Sequence, residues 1–275
     1  MKSLDVGLNS QSEKSFFRST PLKLFLAAAI LLSPFVSVQA QELKTIKLSS
    51  PDKEGGLPIM KSLSLRQSAK DTSQWSDKDL SLKDLSNLLW AGNGVNREDG
   101  KRTAASAQNA QDVDIFVIKK DGVYIYDAVN HALNPVVSGD HRSDFGRRGG
   151  PRPGGAQGGP PGGAQGGQPS GARGGPPAGA QGGQPGGERA SFDYPLILLL
   201  VSENARFGAG TEQLKYEWGA VDAGLVAQNL MLFCSGNGLV AHPKAAEDRE
   251  GTMKNLLNLT DTQHTLLLLD VGYPK

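Results

Sequence analysis

From about Gly146 to Gly187 the chain repeats Gly-Gly-Ala-Gln-Gly-Gly, with Pro-Pro and Gln-Pro between the repeats. Along that stretch there is no aromatic residue after Phe145 and almost no aliphatic side chain beyond Ala. Such a segment cannot bury enough apolar surface to offset its chain entropy, so it is expected to stay disordered and to lie outside any core. The spacing is not a strict Gly-X-Y period, which sets collagen aside. Arg142, Arg147, Arg148, Arg152, Arg173 and Arg189 make it mildly basic. Two readings are open: a tolerated insertion over 146–189, or a tether to a cell-surface polymer or partner. In either case the ordered part must fold around the interruption.

The N-terminus is the second stretch to set aside. Lys14, Arg18 and Lys23 precede the apolar run Leu24–Leu32, which is followed by Ser33-Pro34 and then Val38-Gln39-Ala40. That order reads as a signal peptide over 1–40, directing export to a bacterial periplasm or the medium. The alternative is an uncleaved anchor, although the apolar run is well short of the ~20 residues a membrane span requires. No Arg-Arg pair precedes the run, so a twin-arginine signal is absent. No stable membrane span is expected after cleavage. Residues 41–60 are polar and read as an extended arm. Residues 61–145 and 190–275 together suffice for one domain with a core of its own.

That remainder mixes helices and strands. Ser81 and Asp84 form a capping box, and Leu82, Leu85, Leu88 and Leu89 share a helical face, with Gly92 and Gly94 at its end. Val113–Ile118 and Val123–Tyr126 read as a β-hairpin about the turn Lys120-Asp121-Gly122. Pro195–Val201 is continuously apolar, as in a central strand covered on both faces. Residues 212–234 predict a long helix with little polar face, buried in a core or at a subunit interface. A shorter helix over 246–257 and a strand over Thr265–Leu269 complete an α+β fold, distinct from a doubly wound series of βαβ units.

The net charge of +1 argues against a nucleic-acid binder. The single cysteine, Cys234, excludes an internal disulfide and reads as a buried thiol. The four histidines are scattered without metal-ligand spacing, and neither a Gly-x-Ser-x-Gly elbow nor a dinucleotide fingerprint occurs. No metal site is expected. Two segments carry more. In Ser64–Lys70, Arg66 and Lys70 flank a hydroxyl at Ser68, a set that can converge on one anion if the segment turns; otherwise it is a solvated basic turn. In Arg102–Gln111, small residues followed by Gln108, Asn109 and Gln111 suit a loop pressed against a flat polar ligand, or a capped loop.

Taken in order, these segments resemble the FMN-dependent nitroreductases. Arg66-Gln67-Ser68-Ala69-Lys70 resembles their R-x-S-x-[KR] element, Leu85–Arg97 their LLWAAxGxNR helix, and Ser106–Gln111 their S-x-x-N-x-Q loop. Gly122–Asp127, Asp222–Asn229 and Val271–Lys275 resemble the family's hairpin, central helix and C-terminal strand. The nearest subgroup is the one with the SagB-type azoline-peptide oxidases. The resemblance implies a central antiparallel-rich sheet covered by helices, in a homodimer with FMN at the subunit interface and NAD(P)H as electron donor. It places Arg66, Gln67, Ser68 and Lys70 at the phosphate and ribityl chain, Asn109 at the isoalloxazine, and Gly238 and Leu239 where a backbone N–H meets the flavin. Lys275 stands as the one C-terminal cation where many relatives carry a basic pair. No catalytic side chain is assigned. The expected function is an exported FMN-dependent oxidoreductase acting on a small organic substrate. The alternative is a non-catalytic secreted binding or scaffold protein of the same fold, tethered through its insert. A third is oxidation of a peptide or metabolite without NAD(P)H, which export to an oxidising compartment would favour.

Overall fold

The structure, a computed structural model, describes residues 42–69, 75–146, 194–247 and 251–275. Residues 1–40, read above as a signal peptide, Lys70 and nearly all of the 146–189 insertion lie outside the described residues. Seven strands form one antiparallel sheet in the order β1-β4-β3-β2-β5-β7-β6. They are β1 (Ile46–Lys47), β2 (Val113–Ile118), β3 (Gly122–Asp127), β4 (Ala132–Ser138), β5 (Leu196–Glu203), β6 (Val240–Ala245) and β7 (Gln263–Gly272). Helices α1 (Ile59–Leu65), α2 (Leu82–Asn93), α3 (Arg142–Gly146), α4 (Glu212–Gly236) and α5 (Thr252–Leu256) accompany them.

The apolar run of β5 is explained by its position. Side chains alternate across a strand, and here both faces are covered. Leu196, Leu198 and Leu200 join a core beneath α2 and α4. Ile197, Leu199 and Val201 join a second core with Phe145, Met253 and Leu257 from the α3 and α5 side. Hairpin β2–β3 forms as expected, and its register sets Phe116 opposite Ile125 and Ile118 opposite Val123. The α2 cap also forms as its residues dictate: the Asp84 N–H donates to Ser81 Oγ at 3.1 Å, and the Tyr273 hydroxyl near the end of β7 joins the same cap.

Several elements differ from the sequence expectation. Strands β4 and β6 carry Pro135 and Pro243, which remove backbone donors and disguise the pattern. β6 is an edge strand, where a missing donor can face solvent, and Pro135 sits opposite a register shift between Val123 and Tyr124. The arm does not stay free of the sheet. β1 pairs Ile46 with Leu133, the Ser49 N–H donates to Ser86 Oγ at 3.0 Å, and the Asp52 N–H donates to Asn87 Oδ1 at 2.8 Å. Helix α1 crosses the 60/61 boundary drawn between arm and domain. The helix expected over 246–257 is Thr252–Leu256, preceded by Gly251 at φ 68°.

Gly92 does not end α2; it lies inside it, where α2 crosses α4. A Cβ built there would stand 2.5 Å from Cδ2 of the fully buried Leu230. Gly92→Ala is therefore expected to destabilise the fold by about 1–3 kcal/mol through overpacking. Chemical-denaturation midpoints would check this, with the Gly92→Ala/Leu230→Ala pair less destabilised than the two single changes summed.

Candidate functional site

At its C-terminal end, helix α4 closes in a Schellman-type turn. Gly238 takes φ 70°, and the Leu239 N–H returns to the Cys234 carbonyl at 2.9 Å. The segment expected to bind an anion is seated on this turn. Ser235 Oγ donates to the Ser62 carbonyl at 3.0 Å, the Leu57 N–H donates to the Gly236 carbonyl at 3.0 Å, and the Ala69 N–H donates to the Ala241 carbonyl at 3.0 Å. Arg66 is the C-cap of α1 and is half-buried; Gln67 is exposed and Ser68 half-buried. The exposed Lys275 comes to the same region, because Trp75 pairs with Pro274 and the Ser76 N–H donates to the Tyr273 carbonyl. Among the described residues no hydrogen bond takes the Gly238 N–H, and a Cβ at Gly238 would meet nothing within 4 Å. The Leu239 amide, expected alongside it as a ligand donor, is already committed to the helix end.

Asn109 lies elsewhere. Its loop rests on α4 through Asp222, whose Oδ2 accepts the Ala107 N–H at 2.8 Å. Asp222 and Gly236 are 14 residues apart on one helix, which is about 21 Å at 1.5 Å per residue. Within one chain, then, α4 holds the Arg66–Ser68 and Gly238 group at its C-terminal end and Asn109 near its middle. The loop is strained: Gln108, Asn109 and Gln111 all have φ between 50° and 55°. Such non-glycine conformations persist only where surrounding contacts enforce them, and they cluster at ligand sites. The enforcing contacts are present. The Gln111 N–H donates to Ser106 Oγ at 2.9 Å, and Arg206 Nη1 donates to the Gln111 carbonyl at 2.9 Å. Gln108 is held by the backbone of Gly208 and Ala209 at 3.1 Å and 3.0 Å. The Asn109 carboxamide is exposed, with no hydrogen bond to the described residues.

Beneath this loop is a polar cluster that the sequence reading passed over. Asp112 is fully buried, Ser202 is 1% exposed and Asp222 is 3% exposed. Ser202 Oγ donates to Asp112 Oδ2 at 2.6 Å, and Gly219 lets α4 approach, since a Cβ there would fall 2.2 Å from that hydroxyl oxygen. A water-sized cavity of about 10 Å³ is lined by Arg102, Ser106, Asp112 and Asp222. Burial pushes the Asp112 carboxyl up to about 6; the Ser202 hydroxyl opposes the rise and the neighbouring Asp222 carboxyl adds to it. The sequence did carry a signal: after Glu217, Asp222 is the sole acidic or basic residue of the nearly apolar helix α4, and a lone charge in that setting is seldom buried without a partner. Cys234 is buried, and burial pushes its thiol up to about 12, an inert group as expected. Among the described residues no cluster of three or more His, Cys, Asp or Glu could hold a metal, and no helix is long and apolar enough to cross a membrane.

The family model described as Nitroreductase family matches residues 68–273. Comparison with curated proteins gives no match. Among solved structures, a candidate nitroreductase from Ralstonia eutropha JMP134 is similar at 26% identity and TM-score 0.64, over 85% of this chain and 90% of that one. A candidate nitroreductase from Anabaena variabilis ATCC 29413 shares the fold at 14% identity and TM-score 0.56, over 84% of this chain and 42% of that one. The E. coli microcin synthetase McbBCD complex, with truncated pro-MccB17 bound, shares it at 16% identity and TM-score 0.52, over 91% of this chain and 84% of that one.

The buried acid gives a pH-dependent stability of known sign. Folding raises the Asp112 carboxyl from 3.8 to about 6, so between those values the folded chain holds a proton the unfolded chain has lost. Stability from this group is present below about pH 4 and is lost as pH rises to about 6. Asp112→Asn does not titrate. Its stability relative to wild type is expected to climb by order 1–3 kcal/mol between pH 4 and 6 and then level off, as read from urea midpoints at each pH; a constant difference would contradict the assignment.

Proposed function

Because the chain belongs to the nitroreductase family, whose members typically bind FMN, use NAD(P)H and are dimeric, we propose that it is an exported FMN-dependent oxidoreductase acting on a small organic substrate. The observation that carries this is the joining of two segments far apart in sequence. The Arg66–Ala69 turn is fixed by the Ala69–Ala241 hydrogen bond to the strand that follows Gly238, whose N–H is unengaged and whose missing side chain leaves open space. The residues fit the cofactor. Arg66 and Ser68 offer a guanidinium and a hydroxyl to its phosphate, the Gly238 N–H and open surface suit close approach of a flat ring, and the Asn109 carboxamide is free to bond a ring edge. When bound, FMN supplies hydride and electron transfer; the protein's part is to bind, orient and exclude water.

Placement of these groups about 21 Å apart along α4 favours a site shared between two copies. Leu214, Val221 and Leu225 share one side of α4 and are exposed, as are Ile59, Met60, Leu63 and Leu65 of α1, apolar surface suited to a second copy. In such a pair, one chain's Arg66–Ser68 and Gly238 would meet the other's Asn109. The export segment favours an electron donor other than cytoplasmic NAD(P)H.

The mature protein is expected to purify yellow or to take up FMN, and a colourless protein that ignores added FMN would overturn the reading. Arg66→Ala should weaken FMN binding about 10- to 100-fold, from the loss of about 1.5–3 kcal/mol of charge-assisted bonding. Co-expressing Arg66→Ala with Asn109→Ala tests the shared site: mixed dimers should regain one intact site, so activity should exceed that of either variant alone.

A further inference from the structure

Of the buried polar groups in the described chain, the Asp112–Asp222 pair is the one whose surroundings call for a proton. The two carboxyls line one small cavity, and Asp112 Oδ1 is buried and meets no donor. The groups facing the pair do not supply one. Arg102, on the loop before β2, aims one guanidinium nitrogen at the Val113 carbonyl at 3.4 Å, and its buried Nε has no partner. Arg206, after β5, is committed to Asp114 through contacts of 2.9 Å and 2.6 Å. Asp114, on β2, adds negative charge. Asn93 of α2 donates its amide to the Val113 carbonyl at 2.9 Å, and Ser202 of β5 serves only Oδ2 of Asp112. Two ionised carboxylates so placed repel in a low dielectric, and a single proton between them turns that repulsion into a hydrogen bond.

The pair also grips both ends of the strained loop. Asp222 takes the Ala107 N–H at the loop's entrance, and Asp112 is the residue that follows Gln111 at its exit. We propose that Asp112 and Asp222 share one proton, and that this proton holds the 106–111 loop in the strained form that presents Asn109. Both acids are thus positioning residues for the ligand. Loss of the proton to solvent takes the pair from one negative charge to two, drives the carboxyls apart and lets the three left-handed residues relax. Ligand binding is then tightest where the pair is singly protonated and weakens as pH rises through roughly 5 to 7, the range about the Asp112 midpoint near 6. The ligand named rests on the flavin reading above; the shared proton does not.

The test uses the mature chain with and without FMN. Carboxyl ¹³C NMR of the ligand-free protein, with the Ala107 amide followed alongside, is expected to show Asp112 titrating with a midpoint near 6 and the Ala107 amide, which Asp222 holds, following it. Ser202→Ala removes the donor that stabilises the Asp112 carboxylate and should move that midpoint upward, a shift no purely structural role produces. FMN Kd is then measured from pH 5 to 8 for wild type and Asp112→Asn, which keeps a hydrogen-bond donor at that position at every pH. Because the FMN phosphate itself titrates near 6, the quantity read is the wild-type to Asp112→Asn ratio, expected to rise about three- to tenfold across the range. An Ala107 amide that does not follow Asp112, or a flat ratio, overturns the proposal even if FMN binds. Joint titration with no FMN binding at any pH overturns the flavin reading and leaves the shared proton standing.

Discussion

The close approach of α4 to β5 is the constraint on which the rest of the structure depends. Gly219 permits it, since any side chain there would strike the Ser202 hydroxyl, and Gly92 permits the matching crossing of α2 over α4 at Leu230. With both contacts made, Ala223, Val226, Ala227 and Leu230 reach the core over β5. The same approach carries Asp222 inside beside Asp112, where it binds the Ala107 N–H. Fold and site therefore share one cause: the helix that closes the core also fixes one candidate ligand loop near its middle and, through its Schellman turn, the other at its end.

Strong, unbroken patterns were legible in the sequence. β2, β3, β5 and α2 follow from β-branched runs, an apolar run of buried-strand length and a capping box, each satisfied locally. The elements that escaped depend on tertiary context. β4 and β6 contain proline, acceptable only because of an adjacent register shift in one case and an edge position in the other. β1 is two residues whose pairing with Leu133 and Ala132 no local pattern encodes. For the site, residue types could nominate Arg66, Ser68, Asn109 and Gly238, but not their arrangement. That Leu239 spends its N–H on Cys234 follows from the φ 70° of Gly238. That Asn109 belongs to the middle of α4 and not to its C-terminal turn follows from one long-range hydrogen bond to Asp222.

The buried acids went unread for a related reason. Taken singly, Asp112 before a strand and Ser202 at a strand's end look like ordinary boundary residues, and only the antiparallel pairing of β2 with β5, which sets Val113 opposite Ser202, brings them together. Functional polarity in this chain is thus assembled by sheet register. Arg206 acts in the same way: from the turn after β5 it reaches back to Gln111 and Asp114, fastening the far side of the strained loop.

The same register explains how the domain tolerates the interruption at its centre. The segment 147–193 separates α3 from β5, two neighbours in space. Loop-closure entropy rises only with the logarithm of length, so an eightfold longer connection than a typical six-residue one adds about 2 kcal/mol. Contacts at the two ends are of a size to offset that. Arg142, 8% exposed, bonds Asp140 through two nitrogens at 2.9 Å and 2.6 Å and the Tyr194 carbonyl at 3.2 Å. Phe145, 1% exposed, fills the core beneath Ile197 and Leu199. Tyr194, on the returning side, packs its ring edge-on against Trp75 at 5.2 Å. The entry and exit of the insertion are therefore tied into the same core and to each other, on the face of the sheet opposite α4 and the loop that presents Asn109.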